Sequence, residues 1–520
     1  MAAGKTSSSE LHFLVSTGVE KPNPELRRFI RSHVMLGKNL GRALPPRTTR
    51  RRRRKENVTP SSTGDVEGLD KDQLEPLPSL NSLSRTHRVL PIPEVPRKFG
   101  SNMSSIRFTE TIDPEVVEVV LQFSSIAKQV LFPLESCILF ERRAEAWIAP
   151  LTIDPAFLHT MIFTSQYYFD AVLPQRPSSE MSQRSLPHYT KTLKLLHERF
   201  SETGDEQARL SFTTVAAVMG LTGYAHLMGD TRSARHHLKG LHKIVTLRGG
   251  ISTLRGSAKL LVEILRCDIG MALHGGTEPI FFHEASEPFV AYPDLTPFLE
   301  LQRGSSSSDS FCNRVVPFED MNDALARAWS AMSEFCTLIN FAAESKQYVT
   351  TDIFLDTMAS VIYRLLDMRF GVCSTDEAIC AGLLAFSCSI FLQWRQLGSS
   401  YPNLATTLKA CLLKLSYSQQ ASARQQLWIL MAGRVSVFGA DDDAWLRPLL
   451  LVNMGCCEIT SWSEMQELLQ SFMWIRMVHE KPGKAVFDSA MACLNPNPEQ
   501  DSNTRGEMKM GTSFGAERSL

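Results

Sequence analysis

The stretch MNDALARAWSAMSEFCTLI, residues 321–339, decides the fold class. Its apolar residues Met321, Leu325, Trp329, Met332, Cys336 and Ile339 recur at spacings of three and four. That period lines them along one side of an α-helix, whereas a strand would scatter them over both of its faces. A stripe of this length must be buried against other elements. The same period returns downstream in Phe354, Met358, Val361 or Ile362, and Leu365. Helical patterns follow over 375–397, 403–417, 421–437 and 441–457, and a last pair falls within 462–489.

Upstream, Asp113-Pro114 and Asp154-Pro155 read as helix starts, because proline at the first helical position loses no hydrogen bond and the preceding Asp can cap. The first pair precedes Val116, Val120, Phe123, Ala127 and Val130; the second precedes Phe157, Met161 and the aromatic cluster Tyr167, Tyr168 and Phe169. Further helices are expected over 187–200, 207–228, 231–247 and 255–274. Alternating β patterns are nearly absent, and residues 350–353 are the best, poor, strand candidate. The expected fold is all-α, a large multi-helix bundle or a stack of helical hairpins behind a disordered basic N-terminal arm. No fixed repeat period emerges.

Charge divides the chain. Residues 1–60 hold 14 Lys and Arg against 4 Asp and Glu, while the full 520 residues are neutral, so the remainder is acidic by the same margin of ten. Residues 1–57 are expected to form the basic arm. Residues 58–105, rich in Ser, Thr, Pro, Asp and Asn, are expected to be a disordered linker. Residues 106–495 form the helical domain and 496–520 a disordered tail. Apolar content of 43% and charged content of 21% are those of a globular chain. The N-terminus lacks the apolar core of a secretory signal, and a transit peptide would avoid Glu10, Glu20 and Glu25. The longest apolar run, residues 378–392, contains Ser387 and Ser389 and is short for a membrane span, so it is expected to be a core helix. No membrane association is expected. The eleven cysteines include no C-x-x-C spacing and read as small buried hydrophobes in a reducing compartment.

Arg50, Arg51, Arg52, Arg53, Arg54 and Lys55 form an unbroken run of six cations that must stay solvated. Such a run suits nuclear import or contact with nucleic-acid phosphates; the plainer reading is a solubilising tail. Arg232, Arg235, Lys239 and Lys243 fall near one face of the 231–247 helix, opposite Ala234, Leu238, Leu241 and Val245. That face is a candidate polyanion or partner surface, or simply the solvated side of an amphipathic helix. His236, His237 and His242 share this helix, but adjacent histidines diverge by about 100° and no Cys or acidic pair completes a metal set. Asp441, Asp442 and Asp443 read as a helix start rather than a cation site. No nucleophile elbow, phosphate-binding loop, dinucleotide fingerprint or H-E-x-x-H pattern is present. Gly249-Gly250 and Gly275-Gly276 follow helices and read as stops. No catalytic residue, metal or cofactor is expected, and the chain is not expected to be an enzyme.

The stretch AHLMGDTRSARHHLKGLHKIVTLRGG, residues 225–250, resembles the mid-region signature of the fungal-specific transcription factor domain. The positions that carry it are Gly229-Asp230, then Ala234, His237, Leu238, Gly240 and Leu241, then Arg248, Gly249 and Gly250. Gly240 would allow close helix approach and the paired glycines would end the helix. The segment FLVSTGVEKPNPELRRFIRSHVMLGKN, residues 13–39, is similar to the opening of a subset of such fungal proteins, through Phe13, Arg28, Ile30, Arg31, Ser32, His33, Val34 and Met35. Better-known relatives hold two zinc ions with six N-terminal cysteines; here the first 136 residues contain no cysteine, so they cannot build that DNA reader.

The resemblance implies a nuclear transcriptional regulator that works through a helical regulatory domain, controlling metabolic or secondary-metabolite genes. Its partners would be proteins of the transcription machinery or a DNA-binding regulator, with weak non-specific DNA contact through the arm. Two other classes stay open: an interaction scaffold sharing the fold with no promoter role, and an enzyme with a pocket in the helical domain.

Overall fold

The computed structural model describes residues 108–140, 145–172, 178–201, 205–282, 290–298, 321–393, 400–418 and 422–494. The basic arm, the linker and the C-terminal tail lie outside the described residues. Among the described residues the chain is all-α, with sixteen α-helices and two strands of two residues each.

The first group of helices is α1 (Pro114–Leu131), α2 (Glu145–Ile153), α3 (Pro155–Val172), α4 (Ser178–Ser201), α5 (Glu206–Arg209), α6 (Phe212–Leu227) and α7 (Thr231–Leu247). Helix α3 packs against α1, α2, α4 and α6, and α6 packs against α7 as a hairpin. Both Asp-Pro pairs open helices. Asp154 Oδ1 accepts from the backbone N–H of Ala156 (2.9 Å) and Phe157 (3.2 Å), which satisfies two orphan donors of the first turn. The same carboxylate takes a bidentate pair from Arg199 at 2.9 and 3.0 Å and a hydrogen bond from Thr213, tying α3 to α4 and α6.

Helix α8 (Ala258–Gly275) touches α6 and α7 on one side and α10 and α12 on the other, and joins this group to the second one. The second group is α9 (Asp323–Ser345), α10 (Thr351–Asp367), α11 (Thr375–Ser387), α12 (Pro402–Ser418), α13 (Ala423–Ser436), α14 (Asp443–Cys456), α15 (Trp462–Phe472) and α16 (Arg476–Leu494). Its centre is the pair α11 and α13. Residues 378–387 of α11 and 426–433 of α13 are buried without interruption, as expected of helices that are apolar all round. The two approach closely because Gly382 presents no Cβ: one placed there would lie 3.1 and 3.3 Å from the Ile429 side chain. By length and composition Glu206–Leu227 and Thr375–Leu392 could each cross a membrane; here 50% and 78% of their most apolar windows are buried within the fold.

The stripe of residues 321–339 behaves as its spacing demands, with Leu325, Trp329, Met332, Cys336 and Ile339 all buried on α9. Four local expectations need correction. The strand candidate at 350–353 reduces to Val349–Thr350, which pairs in parallel with Ile138–Leu139, and Thr351 already begins α10. The 207–228 helix is broken at Leu210–Ser211, where the Ser211 hydroxyl accepts from Thr214 N–H and starts α6 afresh. The 375–397 helix stops at Ser387, continues as one π turn over Cys388–Leu392, and ends at Gln393 with φ of 50°. Gly240 is exposed, and a Cβ there would meet nothing within 4 Å, so it mediates no close helix approach.

Candidate functional site

The hairpin of α6 and α7 is built by its turn residues. Gly229 sits at φ 78°, in the left-handed region that glycine adopts without strain. Asp230 then caps α7, its Oδ1 accepting from Ser233 N–H at 3.0 Å. That hydrogen bond holds the Asp230 carboxyl below its ordinary range. Ala234, Leu238, Leu241, Ile244 and Val245 bury one face of α7. At the far end Gly249 and Gly250 both take positive φ, 106° and 92°, and Gly250 N–H closes back on the Val245 carbonyl at 3.0 Å. Arg248 donates to the Leu210 carbonyl and anchors this end to the break before α6.

The opposite face carries the predicted cations, and the structure separates them. Arg232, Lys239 and Lys243 are exposed. Arg235 is half-buried and belongs to the fold: its guanidinium donates to Thr277 Oγ1 at 2.9 Å and to the Glu278 carbonyl at 3.4 Å. Three cations at helical spacing therefore form the accessible part of this surface. The histidines diverge. His236 is exposed, His242 lies edge-on to Phe281 with ring centroids 4.9 Å apart, and burial lowers the pKa of His237. The six-cation run at residues 50–55 lies outside the described residues.

Asp441, Asp442 and Asp443 open α14. Asp442 accepts from Gly439 N–H at 2.9 Å and from Trp445 Nε1 at 3.0 Å, and Asp443 pairs with Arg434 at 2.7 Å and Arg447 at 3.0 Å. Arg434 first, with Arg447, holds the Asp443 carboxyl below its usual range. A cavity of about 370 Å³ lies beside this trio, floored by Leu446, Leu450 and Val486.

Three constellations were not anticipated from the sequence. On α8, Asp268 is fully enclosed and accepts from Ile280 N–H (2.7 Å), Phe281 N–H (2.9 Å) and Tyr363 Oη (2.9 Å); burial still pushes its pKa up to about 6. On α16, His479 lies between the rings of Trp474 and Phe386, 4.7 and 4.9 Å away, and burial pushes its pKa down to about 3. Its Nδ1 accepts from Ile475 N–H at 3.1 Å, so the tautomer is assigned as Nε2–H, facing Ser389 Oγ at 2.7 Å.

The third is the only trio among the described residues whose side chains could together hold a metal ion: Cys373, Glu377 and Cys411, with ligand atoms within 4.8 Å of one another. Cys373 precedes α11 at φ 53°, in a turn closed by Ser374 N–H on the Gly371 carbonyl at 2.9 Å. Glu377 sits one turn into α11. Its backbone N–H bonds to Ser374 Oγ at 3.1 Å, while its carboxylate accepts from Cys373 N–H. Cys411 reaches the pair from α12, its Sγ 3.7 Å from Glu377 Oε2. The sequence offered the C-x-x-x-E spacing across a helix start as a signal, but only the packing of α12 on α11 brings in Cys411. Comparison with protein-family models, with curated proteins and with solved structures finds no match for this chain.

Proposed function

We propose that the chain is a nuclear transcriptional regulator of the fungal type, whose helical body binds partner proteins and whose basic arm directs it to the nucleus. The observation that carries this reading is the hairpin over residues 225–250. Gly229, Asp230, Gly249 and Gly250, four of the positions on which the resemblance rests, each have a backbone or capping task there. The accessible cations Arg232, Lys239 and Lys243 on the same hairpin supply a surface for an acidic partner. Residues 1–136 contain no cysteine with which to build a zinc cluster; in this reading a partner that reads DNA selects the targets. Metabolic or secondary-metabolite genes are the proposed targets. The arm would add weak, sequence-independent contact with phosphates.

Localisation tests the reading. A fluorescently tagged full chain is expected in the nucleus, and replacing Arg51, Arg52, Arg53 and Arg54 with Ala is expected to shift most of the signal to the cytoplasm, because import receptors read dense positive charge. A wild type excluded from the nucleus would count against the regulator itself. An unchanged nuclear signal in the variant would remove the import role of the arm.

A further inference from the structure

We propose that Cys373, Glu377 and Cys411 form a binding site for one thiophilic divalent cation of the zinc class. The Cys411 thiol now donates to the Glu377 carboxylate, and this contact has the length of one edge of a tetrahedral zinc site. With Zn–S near 2.3 Å and Zn–O near 2.1 Å, a tetrahedral centre places sulfur and oxygen about 3.6 Å apart along one edge. The Cys411 Sγ to Glu377 Oε2 distance is 3.7 Å. All three ligand atoms lie within 4.8 Å, so a small common movement closes the set on one ion.

Two further observations point the same way. Cys373 holds φ of 53°, a conformation that a non-glycine residue without a short amide or carboxylate side chain seldom takes, and the turn and the Glu377 carboxylate keep it there. Two sulfurs and a carboxylate in one half-buried corner are groups that repel once ionised, and a divalent cation reverses that balance. Lys414 on α12 is exposed and turned to the Val372 carbonyl, to which it donates at 3.2 Å.

The donor set selects the ion. Thiolates disfavour magnesium and calcium, and two sulfurs with one oxygen suit zinc and its soft neighbours. Three protein ligands leave a fourth position for water. Val372, 82% exposed beside Cys373, marks the side from which an ion could enter. Binding would release the two thiol protons and pin the 371–374 turn and the start of α11 to α12. This inference is independent of the regulatory reading.

The test uses the purified full chain, reduced and metal-free, titrated with Co²⁺ alone and then with Zn²⁺. We expect one Co²⁺ per chain at this site, with sulfur-to-cobalt charge transfer and the strong d–d absorption of tetrahedral coordination, two protons released, and displacement by Zn²⁺. Cys373→Ser, on the half-exposed turn, should weaken binding by about 100-fold or more with helical circular dichroism unchanged. Cys411→Ser should do the same, and a Cys456→Ser, Cys457→Ser double variant should bind as the wild type does. Absence of thiolate charge transfer at stoichiometric cobalt would overturn the proposal. So would equal affinity in the wild type and Cys373→Ser, or a Cys373–Cys411 disulfide forming in preference to the zinc complex.

Discussion

Trp428→Ala is expected to lower the free energy of unfolding by about 3–5 kcal/mol, a third or more of what a domain of ordinary stability possesses. Trp428 lies at the middle of α13 with no exposed surface. Its ring meets Trp329 of α9 edge-on at 4.9 Å, Phe386 of α11 at 5.5 Å and Phe472 of α15 in a stack at 6.2 Å. Its indole N–H donates to the Met473 carbonyl at 2.9 Å. Three helices and the Met473 backbone therefore close on one side chain. Truncation leaves a cavity that this all-round packing cannot collapse to fill, together with a buried carbonyl deprived of its donor. Urea denaturation followed by circular dichroism measures the loss. A cost below about 1 kcal/mol would mean that α13 is not the centre of the second helical group.

The stability difference between the wild type and His479→Gln is expected to shrink by about 2.5 kcal/mol between pH 7 and pH 4.5. Enclosure by Trp474 and Phe386 holds His479 neutral down to about pH 3, whereas in the unfolded chain it protonates near its ordinary value of 6.5. Its folded pKa is depressed, so its contribution is complete above pH 6.5 and is lost as the pH falls towards 3. Protonation would also remove the acceptor that Nδ1 offers to Ile475 N–H. His226, pushed down to about 4 by burial and by His274, acts in the same direction. Asp268 acts in the opposite one: its pKa is raised to about 6, so its contribution is present at low pH and lost as the pH rises through 6. The wild-type curve mixes all three, and the difference between two proteins isolates His479. A difference independent of pH would show that His479 titrates in the fold as it does in the unfolded chain, and so is reached by water.

Legibility in the sequence followed locality. The α7 boundaries, Thr231–Leu247, and the two Asp-Pro starts were readable because caps and stops lie within a few residues of what they govern. Helix α2, Glu145–Ile153, was missed: Pro150 lies inside it, and its apolar residues surround the axis instead of forming a stripe. The π turn after Ser387 has no local signature, since it is fixed by where α11 meets its neighbours. The basic face was visible as a pattern, but which cations remain accessible was not. Arg235 is claimed by Thr277, 42 residues away. The cysteine–carboxylate trio and the burial of His479 are of the same kind. Each depends on residues that only tertiary packing brings together, such as Cys411 with Glu377 and Ser389 with His479.

Genome-wide chromatin occupancy of the tagged full chain, in the cells that make it, tests the regulatory reading most directly. Reproducible enrichment at a defined set of promoters is expected. That enrichment should weaken when Arg232, Lys239 and Lys243 are replaced by Ala, because partner binding places the protein there. A chromatin profile indistinguishable from an untagged control, in cells where the protein is expressed and stable, would contradict it.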